Sequence, residues 1–171
     1  LHQQIDKHRW SVLVCHRRFG KTVCMINHLI KSALMSKQKN PRFAYLAPTF
    51  KQAKSIAWDY MKQFTDKIPH TKFNETELRV DLPNGARITL LGSDSPDGLR
   101  GIYLDGCVID EYANVNSRLF PEIIRPALSD RKGYCVFIGT PAGMNNNFYE
   151  LYQHANGADD WFNYKAKASD T

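Results

Sequence analysis

The eight residues Cys15-His16-Arg17-Arg18-Phe19-Gly20-Lys21-Thr22 carry the sharpest chemical signal in the chain. An apolar, β-branched run leads in, Trp10 to Cys15 (WSVLVC), and a helix-periodic segment leads out. A strand–turn–helix of this kind aims backbone N–H groups at an anion, and the helix start favours negative charge at the same point. Here Gly20 would let the backbone approach a phosphate without a Cβ. Lys21 would bring a mobile positive charge to the β- and γ-phosphates, and the Thr22 hydroxyl could bind Mg2+. Arg17 and Arg18 add bidentate phosphate donors, and an arginine so placed can also act on transition-state charge. The turn reads as a P-loop for ATP, with His16, Arg17, Arg18, Phe19, Gly20, Lys21 and Thr22 as its nucleotide-binding residues. Cys15 stands where the G-x-x-x-x-G-K-T pattern has its first glycine.

A phosphate-binding turn needs a second element, and Cys107-Val108-Ile109-Asp110-Glu111 supplies one. Its apolar strand would place two carboxylates at a C-terminal strand edge, where open α/β sheets bind ligands. Asp110 would hold the Mg2+ shell, directly or through water, and Glu111 would position and polarise an attacking water. Each segment has a plainer reading, a chance G-K-T at a helix start or a surface Asp-Glu pair after a strand. Their joint presence in one chain favours nucleotide hydrolysis.

These residues need a framework to hold them. Val23, Met25, Ile26, Leu29, Ile30, Ala33 and Leu34 recur at helical spacing as far as Met35. Arg42 to Ala47 reads as a second buried strand, stopped by Pro48, and Thr49 is placed to cap a helix from about Phe50 to Phe64. Leu78, Val80 and Leu82 alternate with polar residues before Asn84-Gly85, a two-residue hairpin signal, with Ile88, Leu90 and Leu91 beyond it. A loop over 92–101 precedes the Asp-Glu strand. An irregular helix is expected over about Arg118 to Leu128, with Pro121 and Pro126 inside it. A strand over Tyr134 to Ile138 follows, then a helix over Asn147 to Ala155 and a last strand over Phe162 to Ala168. Buried strands alternating with helices predict an α/β fold, a mainly parallel central sheet flanked by helices with the hairpin as an antiparallel addition. Together with the two motifs this resembles a P-loop NTPase of the ASCE, RecA-like class.

The totals agree with one globular domain. There are 171 residues, 43% of them apolar and 23% charged. No stretch approaches the ~20 apolar residues of a membrane span, and the polar opening, which lacks a Met, has no signal-peptide core. A formal charge of +6 points to a polyanionic partner such as nucleic acid. Four cysteines (15, 24, 107 and 135) form no C-x-x-C pair, and buried reduced thiols are expected rather than a metal site.

Taken in order, these motifs resemble the ATPase half of the large subunit of viral DNA-packaging terminases. Val14-Cys15-His16-Arg17-Arg18-Phe19-Gly20-Lys21-Thr22 is similar to the family's arginine-bearing Walker A, Arg17 matching its arginine and His16 standing where the family often has glycine. Tyr45-Leu46-Ala47-Pro48-Thr49 with Gln52-Ala53 resembles the motif after the second strand. Gly98-Leu99-Arg100-Gly101 resembles the L-R-G element, and Val108-Ile109-Asp110-Glu111 resembles Walker B. Arg125 to Leu128 through Ile138 to Gly143 resembles the segment that ends in the coupling motif.

The resemblance implies further roles. Arg100 matches an arginine proposed to act as a finger on a neighbouring subunit's ATP. Gly139, Thr140 and Pro141 match the coupling motif, which senses γ-phosphate. Gln4 matches an adenine-contacting glutamine, with Gln3 as competitor. It also implies a motor for double-stranded DNA in tailed bacteriophages, working with a portal protein and a small terminase subunit in the cytoplasm of the bacterial host. The motor would be a ring during packaging, with the isolated chain a monomer and no membrane involved. Residues 1–171 are expected to form a single P-loop ATPase domain without the family's C-terminal RNase H-like nuclease domain, so no DNA cleavage is expected of the chain. Two other readings are a helicase-type DNA-dependent ATPase and a non-catalytic nucleotide- or DNA-binding module. Asp110-Glu111-Tyr112-Ala113 lacks the D-E-A-D or D-E-A-H form of the first, and the joint presence of Lys21, Thr22, Asp110 and Glu111 argues against the second.

Overall fold

The protein is described from a computed structural model covering residues 1–94 and 99–167. Gly98 of the L-R-G-like segment and the tail from Ala168 lie outside the described residues. The apolar runs become strands β1 (Trp10–Cys15), β2 (Arg42–Ala47), β6 (Gly106–Ile109) and β7 (Tyr134–Gly139). Strands β3 (Lys72–Asn74), β4 (Arg79–Asp81), β5 (Arg87–Gly92) and β8 (Trp161–Ala166) complete one sheet in the order β3-β4-β5-β2-β6-β7-β1-β8. The six from β5 to β8 in that order pair parallel, and β3 and β4 extend the β5 edge antiparallel. Burial explains the strand sequences. β1 and β6 are buried at every residue and read as continuous apolar runs, whereas β5 alternates.

Helices cover both faces. Ile26, Leu29 and Met25 of the Lys21–Met35 helix pack with Leu13, Tyr45, Trp58, Met61 and Val108 on one face. Leu119, Phe120, Ile124 and Phe148 pack with Val12, Leu46 and Phe137 on the other. The expected helix after β2 is there, as Phe50–Ala53, a π turn over Lys54–Trp58, and Asp59–Thr65. Thr49 caps it, its side chain accepting from the Gln52 N–H at 3.1 Å. Lys62 on this helix holds Glu75 at 3.0 Å, and Glu75 accepts from the Trp58 indole at 2.6 Å, so this lysine fastens the helix to the chain that follows.

Several details add to or refine the expectation. The hairpin loop holds Pro83 as well as Asn84 and Gly85: Leu82 N–H bonds Ala86 O at 2.8 Å and Gly85 N–H bonds Leu82 O at 3.0 Å, with Gly85 at φ +82°. A proline cannot donate to the ladder, so the ladder closes one residue earlier. The hairpin's second strand, β5, is the parallel neighbour of β2, and β4 and β3 make the antiparallel addition. The irregular helix is a π turn over Phe120–Ile124 continuing as Arg125–Ser129. The short His2–Ile5 helix and edge strand β3 carried no periodic signal long enough to read. The four cysteines are free. Cys15, Cys107 and Cys135 are buried as expected, and Cys24 is half-buried.

His28 is buried, stacked on His2 at 5.3 Å with the two Nδ1 atoms 3.1 Å apart, and set edge-on to Tyr134. Burial lowers its pKa to about 4, with His2 and Lys31 pushing the same way and Asp6 opposing. The native state therefore prefers neutral His28, while the unfolded chain takes up a proton near 6.5. Stability is present above that pH and is lost as pH falls toward about 4, by at most about 3 kcal/mol. Urea titrations at pH 7 and pH 4.5 should show this loss, and His28→Phe should flatten it. An unchanged pH slope in the variant would assign the loss to other groups.

Candidate active site

Strand β7 lies between β1 and β6, so the two motif-bearing strands end on the same edge of the sheet one strand apart. The turn after β1 and the carboxylates after β6 thereby meet. Arg18, Gly20, Lys21, Thr22 and Val23 line one open cleft with Asp110 and Glu111, and Ser55, Ile56 and Tyr60 close its side. Ser55 and Ile56 belong to the π turn, a helical irregularity often found at functional sites.

The turn forms without a glycine at its first position. Cys15 stays in the sheet, in register with Ala166, and neither Cys15 nor His16 has positive φ. Left-handed backbone falls instead at Arg18 (φ +64°) and Gly20 (φ +83°). Glycine tolerates this freely, and Arg18 does so at a cost of order 1 kcal/mol. His16 Nδ1 lies 2.7 Å from Arg17 O, and its ring meets Phe19 edge-on. Lys21 Nζ donates to the carbonyls of Cys15 (3.3 Å) and His16 (3.1 Å), which holds the ammonium over the mouth of the turn.

On the opposite wall Asp110 is buried, and its backbone N–H continues the β2–β6 pairing by donating to Leu46 O at 2.7 Å. Both carboxylate oxygens have donors. Oδ1 accepts from the Glu111 N–H at 2.8 Å, and Oδ2 accepts from the Tyr45 hydroxyl. Burial pushes the Asp110 carboxyl above the ordinary carboxylate range, while Tyr45 and Lys21 pull it back down. Burial and the adjoining Asp110 push the Tyr45 phenol far up, so it acts as a donor. Glu111 sits at φ +46°, a left-handed conformation that costs a non-glycine residue about 1 kcal/mol and that clusters at functional sites. Its Oε2 accepts from Thr140 Oγ1 at 3.3 Å, which ties it to the residue just past β7.

The matching family model is that of the terminase large subunit, T4likevirus-type, N-terminal, and it covers residues 14–169. The chain belongs to this family. The terminase large subunits of Thermus phage G20c and Thermus virus P23-45 are each 30% identical over 126 residues, covering 63% of this chain and 26% of theirs. The chain thus spans about a quarter of the length of these relatives. Among solved structures, the large terminase ATPase domain of Thermus phage P74-26 superposes with a TM-score of 0.80 at 22% identity, over 99% of this chain and 80% of that one. The large terminase of bacteriophage D6E in complex with ADP gives 0.80 at 17% identity, over 97% and 42%. These likenesses establish the terminase ATPase-domain fold and the α/β class read from the sequence.

Within this terminase fold the expected site residues divide. Arg18, Gly20, Lys21, Thr22, Asp110 and Glu111 share the cleft, with Thr140 bonded to Glu111. Arg17 is exposed on the turn and does not line the cleft. Gln4 and Phe19 line a neighbouring hollow with Leu1, Phe162 and Tyr164, and Gln3 does not. Arg100 lies at a different hollow, beside Asn116, Arg118 and Glu122. Gly139 is the last residue of β7, packed so closely that a Cβ there would reach 2.9 Å from Phe148. Pro141 is exposed and lines an apolar hollow with Met144 and Tyr149. Sequence reasoning gave Tyr45 no role of its own. The signal was a phenol inside an otherwise apolar buried strand, where its O–H must find a partner.

Proposed function

We propose that this chain is the motor domain of a terminase large subunit, hydrolysing ATP with Mg2+ to drive double-stranded DNA into a viral procapsid. The observation that carries the reading is the meeting of the Lys21–Thr22 helix start with Asp110 and Glu111 in one cleft. Backbone N–H groups of the turn and Lys21 bind the phosphates, and Arg17 and Arg18 supply further cationic donors from the same loop. The cleft's acidic and hydroxyl donors are all oxygen, which suits a hard cation. Among the described residues no group of three or more His, Cys, Asp or Glu side chains could hold a metal alone. That pattern fits Mg2+ held by one or two protein oxygens, Thr22 and Asp110, together with phosphate oxygens. When bound, Mg2+ neutralises charge on the phosphates. Glu111 accepts the proton of the attacking water, and Thr140 steadies it while the Gly139-Thr140-Pro141 segment senses the γ-phosphate. Gln4 and Phe19 flank the adenine.

Arg100 completes the site from a neighbouring copy, a reading supported by its position outside its own cleft. The working assembly is then a ring on a portal protein, aided by a small terminase subunit in the host cytoplasm. Residues 1–171 act in it as one ATPase domain.

Hydrolysis measured across a protein concentration series tests this. Activity should rise faster than linearly, fall in Arg100→Ala by about 10³-fold at high concentration, and vanish in Lys21→Ala. Activity linear in protein and indifferent to Arg100 would remove the intersubunit role. Nucleotide binding without hydrolysis at any concentration would favour the binding-module reading.

A further inference from the structure

Tyr45 is fully buried on β2, where it pairs in register with Val108 of β6. Its ring belongs to the apolar core, but its hydroxyl reaches Asp110, one of the two groups assigned to the cation. It donates to Asp110 Oδ2, on the wall of the cleft that faces Thr22. Thr22 comes from the helix after β1 and Asp110 from the end of β6, two elements separated by β7. With Oδ1 fixed by the Glu111 N–H, the bond from Tyr45 leaves the Asp110 carboxylate no freedom to rotate.

We propose that Tyr45 is a positioning residue that orients Asp110 for the nucleotide-bound divalent cation. The proposal rests on the ATPase reading. The hydroxyl fixes the direction in which Asp110 presents its lone pairs, so little ordering of the carboxylate remains when Mg-nucleotide arrives. Groups that orient metal-binding carboxylates in this way typically account for roughly 10- to 100-fold in metal affinity. A Phe ring would keep the packing and delete only the bond to Asp110.

The test is ADP binding by calorimetry with Mg2+ and with EDTA, in the wild type, Tyr45→Phe, Asp110→Asn and the double variant. In Tyr45→Phe, metal-free ADP affinity should stay within about twofold, while the enhancement by Mg2+ falls roughly tenfold. In the Asp110→Asn background the same change should cost less than about twofold, because the hydroxyl acts through the carboxylate. The double variant also carries no buried unpaired carboxylate, so it keeps the comparison measurable if Tyr45→Phe folds poorly. An unchanged Mg2+ enhancement in Tyr45→Phe, or an equal loss in both backgrounds, overturns the proposal and leaves the ATPase reading standing. A wild type that binds ADP without any Mg2+ enhancement overturns both.

Discussion

Glu111→Gln should lower ATP hydrolysis by about 10²- to 10⁴-fold, the range lost when a positioned general base is removed. Gln keeps the size of the side chain and still accepts a hydrogen bond from Thr140, so the wall of the cleft is preserved. It cannot take a proton from water. Nucleotide affinity should therefore stay within about threefold of the wild type, because the lost interaction belongs to the transition state. The left-handed backbone at φ +46° is unchanged by the swap, so thermal stability should also be preserved. Single-turnover hydrolysis beside equilibrium ATP binding separates these effects. Hydrolysis within tenfold of the wild type would take the base role away from Glu111.

The second large effect is on folding. Gly92 ends β5 in register with Ala47, directly beneath the start of the helix that begins at Phe50. A Cβ at Gly92 would overlap the Phe50 backbone nitrogen and lie 2.9 Å from Phe50 Cα. Backbone held by the Thr49 cap and by strand pairing cannot move aside as a side chain tip can. Gly92→Ala should cost about 3 kcal/mol or more, as overpacking against an unyielding partner does. It should also loosen the Ser55–Tyr60 wall of the cleft. Gly143→Ala is the control: a Cβ there meets nothing within 4 Å, and only its φ of +85° opposes the change, at about 1 kcal/mol. Denaturant midpoints of the two variants should differ widely. Equal midpoints would mean that β5 and the helix can separate without penalty.

Much of this protein was legible in its order of residues. Strands buried on both faces announce themselves as continuous apolar runs, and β1, β2 and β7 begin as the runs indicate. The Asn147–Ala155 helix matches residue for residue, because Asn146 accepts from the Phe148 and Tyr149 N–H groups and fixes its start. The turn after β1 and the Asp-Glu strand end are local signals too, since a strand–turn–helix and a strand edge are built from neighbouring residues.

Local signals run out where partners come from afar. Whether Arg17, Arg18 or Arg100 faces the cleft depends on loop direction, which no periodicity encodes. The freedom of Cys15 from the usual glycine follows from its pairing with Ala166, 151 positions along the chain. The role of Tyr45 follows from Asp110, 65 residues away, and becomes visible only when β2 and β6 lie side by side. Neighbouring side chains and burial pattern set the elements and the chemistry available at their ends, and both are carried in the order of residues. Strand order alone decided which ends meet, because it sets β7 between β1 and β6 and brings Lys21, Thr22, Asp110, Glu111 and Thr140 to one edge of the sheet.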